Sequence, residues 1–399
     1  MSELLRGFKI LPRGLVLYLA ITSALFSLLW VIIAPYLKEI GFTPLEYGLL
    51  GSVLGISSIA SLPFAGWLVD RYGALRMVSI TLITATLGFS LLLTRVKELI
   101  FLSAAIRGSS LWIEQIALDV LVSRVVSRKE YDYAYSSYIA INTLGHALGS
   151  YVGWLPPLIS SYTKIDMLSA YTIVMGLAVA LLPPSLITLK GVKEVSQAPS
   201  RKNLGITSSF KDLPRDLLTN VAKVSLAEAL IGLGAAISIH NISYYFILKY
   251  GIGSGELGTL YGTESLIMAL LMLFMPKASK ILGGSLRAYV LISLTSIPLL
   301  IAMTLVNNYV IASVIYISRT ILMNVASPLF TSFLMSLMPE TYRGRALTVV
   351  NLSRTISTTI GRGIGGYLLE VELELPLRVT AVLYTTSLTY LYITYCRGR

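Results

Sequence analysis

Long apolar runs separated by short polar segments form the main pattern of this chain. Four of these runs contain no charged residue and cover residues 15–37, 47–69, 77–94 and 167–189. A helix needs about 20 mainly apolar residues to cross a bilayer, so each run predicts a membrane-spanning helix. The first run has 23 residues without a charge, whereas the apolar core of a signal peptide has roughly 7–15 residues. It therefore predicts a spanning helix that stays in the protein.

Eight further spans follow from less uniform segments. The uncharged run 288–318 is too long for one helix, and the Asn307–Asn308 pair predicts a turn that divides it into two. The second part of that run extends to residue 338, and the other segments are 99–123, 133–163, 224–248, 257–276, 346–369 and 375–396. Together they predict twelve spanning helices, which are called spans 1 to 12 in chain order.

The positive charges are distributed unevenly over the segments between the spans. If the N-terminus faces the cytoplasm, 21 lysines and arginines lie in inner segments and six lie in outer segments. Because the cytoplasmic loops of membrane proteins are enriched in lysine and arginine, we expect both termini on the cytoplasmic side. The net charge of +12 then reflects membrane topology, and nucleic-acid binding is not expected.

Composition narrows the class of protein further. Hydrophobic residues make up 55% of the 399 residues and charged residues 13%, which is outside the range of soluble domains. One cysteine, Cys396, and two distant histidines, His146 and His240, provide neither a disulfide framework nor a metal-ligand spacing. There is no Gly-rich phosphate loop ending in Gly-Lys-Ser/Thr, so ATP hydrolysis is not the expected energy source. No cofactor or metal is expected.

A charged motif connects spans 2 and 3. Residues 66–76 have the sequence Gly-Trp-Leu-Val-Asp-Arg-Tyr-Gly-Ala-Leu-Arg. They resemble the G-x-x-x-D-R-x-G-R-[KR] motif of the major facilitator superfamily, which lies between helices 2 and 3 of that family. The matching positions are Gly66, Asp70, Arg71 and Gly73. At the next two positions, where the family is usually basic, this chain has Ala74 and Leu75, and the nearest base is Arg76.

The resemblance implies an all-α integral membrane fold, in which twelve transmembrane helices form two pseudo-symmetric six-helix bundles. The bundles and the cytoplasmic linker between them are expected at residues 1–189, 223–399 and 190–222 respectively. Internal similarity supports two related halves, because a shift of 212 residues aligns Arg107 with Arg319 and Gly149 with Gly361. Transporters built from such repeats have a substrate site near the membrane midplane between the halves.

The resemblance also implies a cytoplasmic gate at the charged motif. In the family, an acidic residue near the cytoplasmic end of helix 4 pairs with the basic end of this motif. Asp119 occupies that position here, and Arg71 or Arg76 is the expected partner. Asp70 is expected to cap the start of span 11, because a helix N-terminus stabilises a carboxylate.

Ionisable side chains inside the predicted spans are candidates for solute and proton binding, because such groups cost roughly 2.5–3.5 kcal/mol at the bilayer centre. With one nearby asparagine included, the predicted cavity residues are Arg107, Glu114, Asn142, His146, Glu228, Glu264, Arg319, Arg354 and Arg362. Arg107 and Glu114 are seven residues apart, so they share one face of span 4. His146 lies one turn after Asn142, where it either packs as a polar residue or relays protons.

Two interpretations of these charges stay open. Glu114, Glu228 and Glu264 suit reversible protonation, because apolar surroundings favour the neutral form of a carboxyl group. The arginines suit an anionic solute, because a guanidinium binds carboxylate or phosphate through two parallel hydrogen bonds. Alternatively, the arginines and the acidic residues neutralise each other as internal ion pairs. Four arginines against four acidic residues do not decide between these interpretations.

The predicted function is secondary active transport of a small solute across the cytoplasmic membrane, by alternating access and with protons as the coupling ion. The expected partners are the solute, protons and the lipid bilayer, and the expected state is a monomer. The alternative is a multidrug or lipid exporter of the same fold, although span 5 lacks the Gly-Pro motif typical of drug/proton antiporters in the family. An integral-membrane enzyme is the rival class, and it would need a nucleophile–base or metal constellation that the chain does not offer.

Overall fold

A computed structural model of the chain describes residues 10–193, 215–271, 281–339 and 343–396. All regular secondary structure in these residues is helical, as the apolar runs predict. The first half of the chain forms α1 (Arg13–Glu39), α2 (Pro44–Tyr72), α3 (Ala74–Leu92), α4 (Lys97–Val125), α5 (Tyr131–Tyr151), α6 (Leu155–Thr163) and α7 (Met167–Ser185). The second half forms α8 (Arg215–Ser238), α9 (Ile242–Tyr250), α10 (Ser254–Leu271), α11 (Ser285–Leu305), α12 (Tyr309–Val325), α13 (Ser327–Leu337), α14 (Arg343–Val371) and α15 (Leu375–Tyr395).

Predicted spans 5, 7 and 10 are each interrupted, which the apolar pattern does not show. A short turn at Val152–Trp154 joins α5 to α6, whose first turn contains proline. The first turn of α13 also contains a proline, Pro328, directly after the break at Ala326. Proline has no N–H to donate within a helix, so it is tolerated at a helix start and favours a break before it.

One side chain holds the break between α8 and α9. The Asn241 amide donates hydrogen bonds to the carbonyl oxygens of Ala236 (3.1 Å) and Ile237 (3.3 Å). These carbonyls lie at the C-terminal end of α8, where no following backbone N–H of the helix can donate to them. The Asn241 amide donates in place of those N–H groups. The same amide also donates to the carbonyl of Arg362 at 3.1 Å, so it ties α14 to the break.

Side-chain caps mark the starts of α12 and α7. Asn308 accepts a hydrogen bond from the N–H of Ile311 at 3.1 Å and begins α12, which confirms the turn predicted at Asn307–Asn308. Asp166 begins α7 in the same way, by accepting from the N–H of Ser169 at 2.8 Å. This hydrogen bond also lowers the pKa of the exposed Asp166 carboxyl below its usual value.

Seven helical stretches in the described part of the chain are long and apolar enough to cross a membrane. They are Arg13–Glu39, Pro44–Tyr72, Ala74–Leu92, Met167–Leu189, Leu217–Tyr250, Ser285–Leu305 and Tyr309–Leu337. Among the more polar helices are α4 and α14, which carry five of the predicted intramembrane charges. The chain is therefore a multi-pass membrane protein, and the count of twelve spans stays a prediction.

The chain folds into two compact units. Unit 1 consists of Met1–Phe42, Ile56–Lys202 and Ile252–Leu266, and unit 2 consists of Thr43–Gly55, Asn203–Gly251 and Ile267–Arg399. The change of unit falls in the predicted linker, of which residues 194–214 lie outside the described residues. Two segments belong to the unit of the opposite half, because the start of α2 is part of unit 2 and most of α10 is part of unit 1. The predicted bundle boundaries stay a prediction.

In unit 1, glycines let α5 approach α1 closely. A Cβ atom at Gly145 would overlap the side chain of Ser23, and a Cβ atom at Gly149 would overlap the carbonyl of Ala24. Small residues permit this distance because no side chain separates the two backbones. Glycines four residues apart lie on one face of a helix, which predicts a close contact with a neighbouring helix, and the structure confirms this contact for α5 and α1.

In unit 2, α8 packs against both α14 and α15, and glycines again form the contact with α14. An added Cβ atom at Gly361 would lie 2.8 Å from the Leu233 carbonyl, and one at Gly365 would overlap the Ile237 carbonyl. Gly361 is the residue that the 212-residue shift aligns with Gly149. The internal similarity thus places glycines at the same kind of helix contact in each unit.

We expect Gly149→Ala to lower the free energy of unfolding by about 1–3 kcal/mol, because added volume in a tightly packed contact strains it. The matched control is Gly176→Ala in α7, where the nearest atom to an added Cβ is Leu93 Cδ1 at 3.9 Å. The control should be neutral or stabilising by up to about 1 kcal/mol, since alanine favours a helix over glycine. Thermal unfolding of the purified variants measures the difference, and equal midpoints would contradict the close contact of α5 with α1.

Candidate functional site

An ion pair on α4 lies in the interior of unit 1. Arg107 Nη1 donates to Glu114 Oε2 at 2.6 Å and to Ser110 Oγ at 3.2 Å. The two charged side chains are only 14% and 11% exposed. The guanidinium also stacks near Phe26 and Phe89, with 5.0 and 6.0 Å between its carbon and the ring centroids. The predicted shared face of Arg107 and Glu114 is confirmed, and the two residues pair within one helix.

Asp119 follows on the same helix with different partners. Its two carboxylate oxygens each accept from Gln115 Nε2 at 3.2 Å. The same amide lies 3.4 Å from the Tyr138 hydroxyl, and the Tyr135 hydroxyl donates to the Asp119 carbonyl at 2.8 Å. The hydrogen bonds of Asp119 therefore come from uncharged residues of α4 and α5.

The motif between α2 and α3 has its own contacts. Gly73 precedes α3 with a φ of 87°, a backbone conformation that favours glycine. The guanidinium carbon of Arg71 lies 5.1 Å from the Trp67 ring centroid and 5.7 Å from that of Tyr72. Ala74 is fully buried, so the basic side chain usual at this family position would have no access to water.

The expected partnership of Asp119 with Arg71 or Arg76 is not formed in this structure. Arg71 stacks on aromatic rings, and Arg76 is exposed. Gly66 and Asp70 also belong to the motif, and an added Cβ at Gly66 would meet no atom within 4 Å. The gate role of these residues and the capping of span 11 by Asp70 stay predictions.

A second ion pair lies in unit 2 and joins two helices. Arg354 Nη1 on α14 donates to Glu228 Oε2 on α8 at 3.0 Å. The Glu228 side chain is 3% exposed and that of Arg354 is 48% exposed. The other carboxylate oxygen, Glu228 Oε1, is buried and has no hydrogen-bond partner. The buried Glu228 carboxylate is thus stabilised by one hydrogen bond, from the Arg354 side chain, which reaches the surface of the unit.

Arg362 lies two turns further along α14 and has no carboxylate partner in the described part of the chain. Its Nη1 lies 3.4 Å from the Gly51 carbonyl, and Gly51 belongs to the segment of α2 within unit 2. Close packing surrounds this contact, because a Cβ at Gly48 would overlap the Arg362 carbonyl and one at Gly51 would lie 2.7 Å from its Cδ. Four of the five guanidinium N–H groups therefore have no protein acceptor among the described residues.

Arg319 on α12 is the most buried of the predicted arginines. It is 1% exposed, and its guanidinium carbon lies 5.3 Å from the centroid of the Tyr384 ring. Its Nε and Nη2 groups are buried without a hydrogen-bond partner. The aromatic ring supplies the main favourable contact of this charge through a cation–π interaction.

The remaining predicted residues lie on α5 and α10. Asn142 is half-buried on α5, and the His146 side chain is exposed, with its backbone carbonyl accepting from Ser27 Oγ at 2.8 Å. Glu264 is half-buried on α10 in unit 1. No group of three potential metal ligands occurs in the described ranges.

The contacts of these charges include residues that charge-based reasoning missed. They are Phe26, Phe89, Ser110, Gln115, Tyr138 and Tyr384. None of them carries a charge at neutral pH, so inside an apolar span they resemble ordinary packing residues. A polar or aromatic residue one turn from an intramembrane charge is the only sequence signal that points to them.

Comparison with known proteins identifies the family. The family model described as Major Facilitator Superfamily matches residues 15–362. This chain belongs to the major facilitator superfamily. It is therefore a membrane transport protein rather than one of the membrane enzymes considered as a rival class. No curated protein sequence matches it.

Solved structures of this superfamily share the fold at low sequence identity. A bacterial homologue of the human lysosomal transporter Spinster, inward-facing and occupied, has a TM-score of 0.75 and 14% identity, over 99% of this chain and 98% of its own. A mutant of the nucleoside transporter NupG has a TM-score of 0.74 and 14% identity, over 97% and 99%. An inward-facing bacterial homologue of the iron transporter ferroportin has a TM-score of 0.73 and 15% identity, over 98% of both chains. The likeness concerns the fold alone.

We expect the two members of the unit 2 ion pair to differ in their effect on stability. Arg354→Met leaves a buried carboxylate without a partner, which costs about 3–5 kcal/mol. Glu228→Gln leaves an arginine that is already half exposed, so the expected cost is about 1 kcal/mol. Chemical or thermal unfolding of both variants at neutral pH measures which variant loses more free energy of unfolding.

The matched control is Arg378→Met, which breaks the exposed Arg378–Glu372 pair (2.7 Å, side chains 53% and 48% exposed). Exposed pairs contribute about 0–1 kcal/mol, so the control should change little. Equal losses for Arg354→Met and Glu228→Gln, or the reverse order, would contradict the burial difference described for this pair.

Proposed function

We propose that this member of the major facilitator superfamily is a proton-coupled secondary transporter, which moves a small solute across the cytoplasmic membrane by alternating access. Glu228 carries the proposal. It is the buried carboxylate whose Oε1 has no hydrogen-bond partner and whose Oε2 is bonded only to Arg354. A charge in apolar surroundings is costly, and a proton on Oε1 would remove that charge.

Protonation of Glu228 would also affect the helices that it connects. The Arg354–Glu228 bond joins α14 to α8, so loss of the carboxylate charge weakens a contact between these two helices. Arg354 would then be free to turn toward water or a solute, because half of its side chain is already exposed. Proton binding and helix movement would thus be coupled through one ion pair.

Glu114 is a weaker candidate for the coupling proton. Its partner Arg107 lies on the same helix at 2.6 Å, so breaking that bond separates no helices. Glu264 is the third candidate for the coupling proton, and its side chain is less buried than that of Glu228. The order proposed is therefore Glu228 before Glu114 and Glu264.

The class of solute is inferred from the charges of this chain. The similar solved structures do not decide it, because their names refer to different substrates. NupG is named as a nucleoside transporter, and another matching structure is named as a bacterial metal transporter. A multidrug or lipid exporter is the alternative function. Three arginines in the spans of unit 2 disfavour lipophilic cations there, because like charges repel.

We expect Glu228→Gln to abolish accumulation driven by a pH gradient and to retain exchange of solute down its own gradient, since glutamine cannot release a proton. The measurement uses proteoliposomes and a panel of sugars, organic anions, amines and drugs, with a pH-sensitive dye inside. Glu372→Gln is the control, because Glu372 belongs to an exposed pair. Full pH-driven accumulation in Glu228→Gln would exclude this carboxylate as the coupling group.

The proposed orientation has both termini in the cytoplasm. Because Cys396 is the only cysteine, Cys396→Ser provides a background for single-cysteine labelling. In cells, Lys164→Cys should react with a membrane-impermeant maleimide added outside, and Ser127→Cys should react only after the membrane is opened. Both positions are exposed in the structure, so the opposite pattern would reverse the proposed topology.

A further inference from the structure

The spans of unit 2 contain more positive than negative charge. Glu228 neutralises Arg354, Glu374 neutralises Lys249 at the end of α9 through a bond of 2.5 Å from Lys249 Nζ to Oε1, and Glu372 neutralises the exposed Arg378. Arg319 and Arg362 have no carboxylate within ion-pair distance in the described part of the chain. Unit 1 has no such excess, because Arg107 is paired with Glu114 and Asp119 adds a negative charge.

The two unpaired arginines differ in access. Arg319 is 1% exposed and stacks on Tyr384, so it adds a positive field but offers no surface to a solute. Arg362 is half-buried, and its single weak hydrogen bond to the Gly51 carbonyl leaves four N–H donors free. Arg362 is therefore the unpaired charge that a solute can contact.

The exposed part of Arg354 lies on nearly the same side of α14. Arg354 and Arg362 are eight residues apart, which places their side chains within about 80° of each other at 3.6 residues per turn. The cationic surface of α14 thus extends over two turns around Arg362.

We propose that the transported solute is a small organic oxyanion, carrying a carboxylate or phosphate group, and that Arg362 binds this group with Arg354 as a second contact. The inference rests on the proposed transport function. A guanidinium with free donors in a low-dielectric environment binds an oxyanion through a planar pair of charge-assisted hydrogen bonds. Protonation of Glu228 releases Arg354, so a proton and an anion enter the same cationic site as a neutral pair.

The first experiment compares charged solutes with neutral counterparts on purified protein in detergent. The pairs are succinate with succinamide, and glucose 6-phosphate with glucose. We expect the oxyanion of at least one pair to raise the unfolding temperature and slow the reaction of Arg362 with phenylglyoxal, as mapped by mass spectrometry. Neither neutral compound should do so, and Arg319 should stay unreacted in the folded protein. If neither oxyanion slows the reaction, or if succinamide or glucose slows it equally, the inference is overturned.

The second experiment uses variants. Arg362→Gln should weaken oxyanion binding at least tenfold, and Arg362→Lys should weaken it less, because an ammonium keeps the charge and loses the planar fork. Arg378→Gln is the control for loss of an arginine elsewhere in unit 2, and its affinity should be unchanged. Unchanged affinity in folded Arg362→Gln would show that the anion binds elsewhere. The labelling of the natural protein tests the same point if that variant does not fold.

Two further outcomes separate this inference from the transport proposal. Oxyanion binding at Arg362 without transport in proteoliposomes would sustain the inference on binding and reject the proposed function. Transport of a neutral or cationic solute that survives Arg362→Gln would sustain the function and reject the oxyanion. Protection of Arg362 only by phosphatidylglycerol in nanodiscs, and by no soluble oxyanion, would assign the cationic site to lipid and reject it as a solute site.

Discussion

The cost of placing a charge in the apolar interior of the membrane is the constraint on which this structure depends. The charge of each predicted arginine within the spans has different surroundings that offset this cost. Arg107 is neutralised within its own helix and Arg354 by a carboxylate on another helix, whereas Arg319 keeps its charge and stacks on an aromatic ring. Among the described residues, the hydrogen-bond acceptor of the Arg362 side chain is one backbone carbonyl at 3.4 Å. The least compensated charge is therefore the one that gains most from an external anion.

The Arg107–Glu114 and Arg354–Glu228 ion pairs also have different effects on the fold. A pair within one helix, as on α4, orients side chains and leaves helix packing unchanged. A pair between α8 and α14 adds a polar bond to a contact that also includes the glycines Gly361 and Gly365 and a hydrogen bond from Ser353 Oγ to the Ser225 carbonyl at 3.1 Å. The Arg354–Glu228 bond is therefore one of several contributions to the attraction between the two helices, together with that hydrogen bond and the apolar packing of both helices in one buried cluster. A proton that neutralises Glu228 acts on that attraction directly.

The transport function follows from family membership, whereas coupling and substrate class are argued from this chain. The superfamily model covers residues 15–362, and the solved relatives share the fold at 14–15% identity. At that identity the charged residues need not correspond. The proton and the oxyanion are therefore proposals, argued from the burial and partners of Glu228, Arg354 and Arg362 and from the charge of Arg319 in this protein.

The sequence by itself determined the helical membrane fold, the turn at Asn307–Asn308, the close glycine contact of α5 and the shared face of Arg107 and Glu114. These features depend on hydrophobic length, turn propensity and helix periodicity, which are local properties of the chain. The sequence did not decide which charges are paired, because four arginines and four acidic residues permit many pairings of equal count. Tertiary structure decided it by bringing Glu228 to Arg354 and Asp119 to Gln115, and by leaving Arg319 and Arg362 without a carboxylate partner among the described residues. Pairing depends on distances of a few ångströms between helices far apart in the chain, and only the packed structure sets those distances.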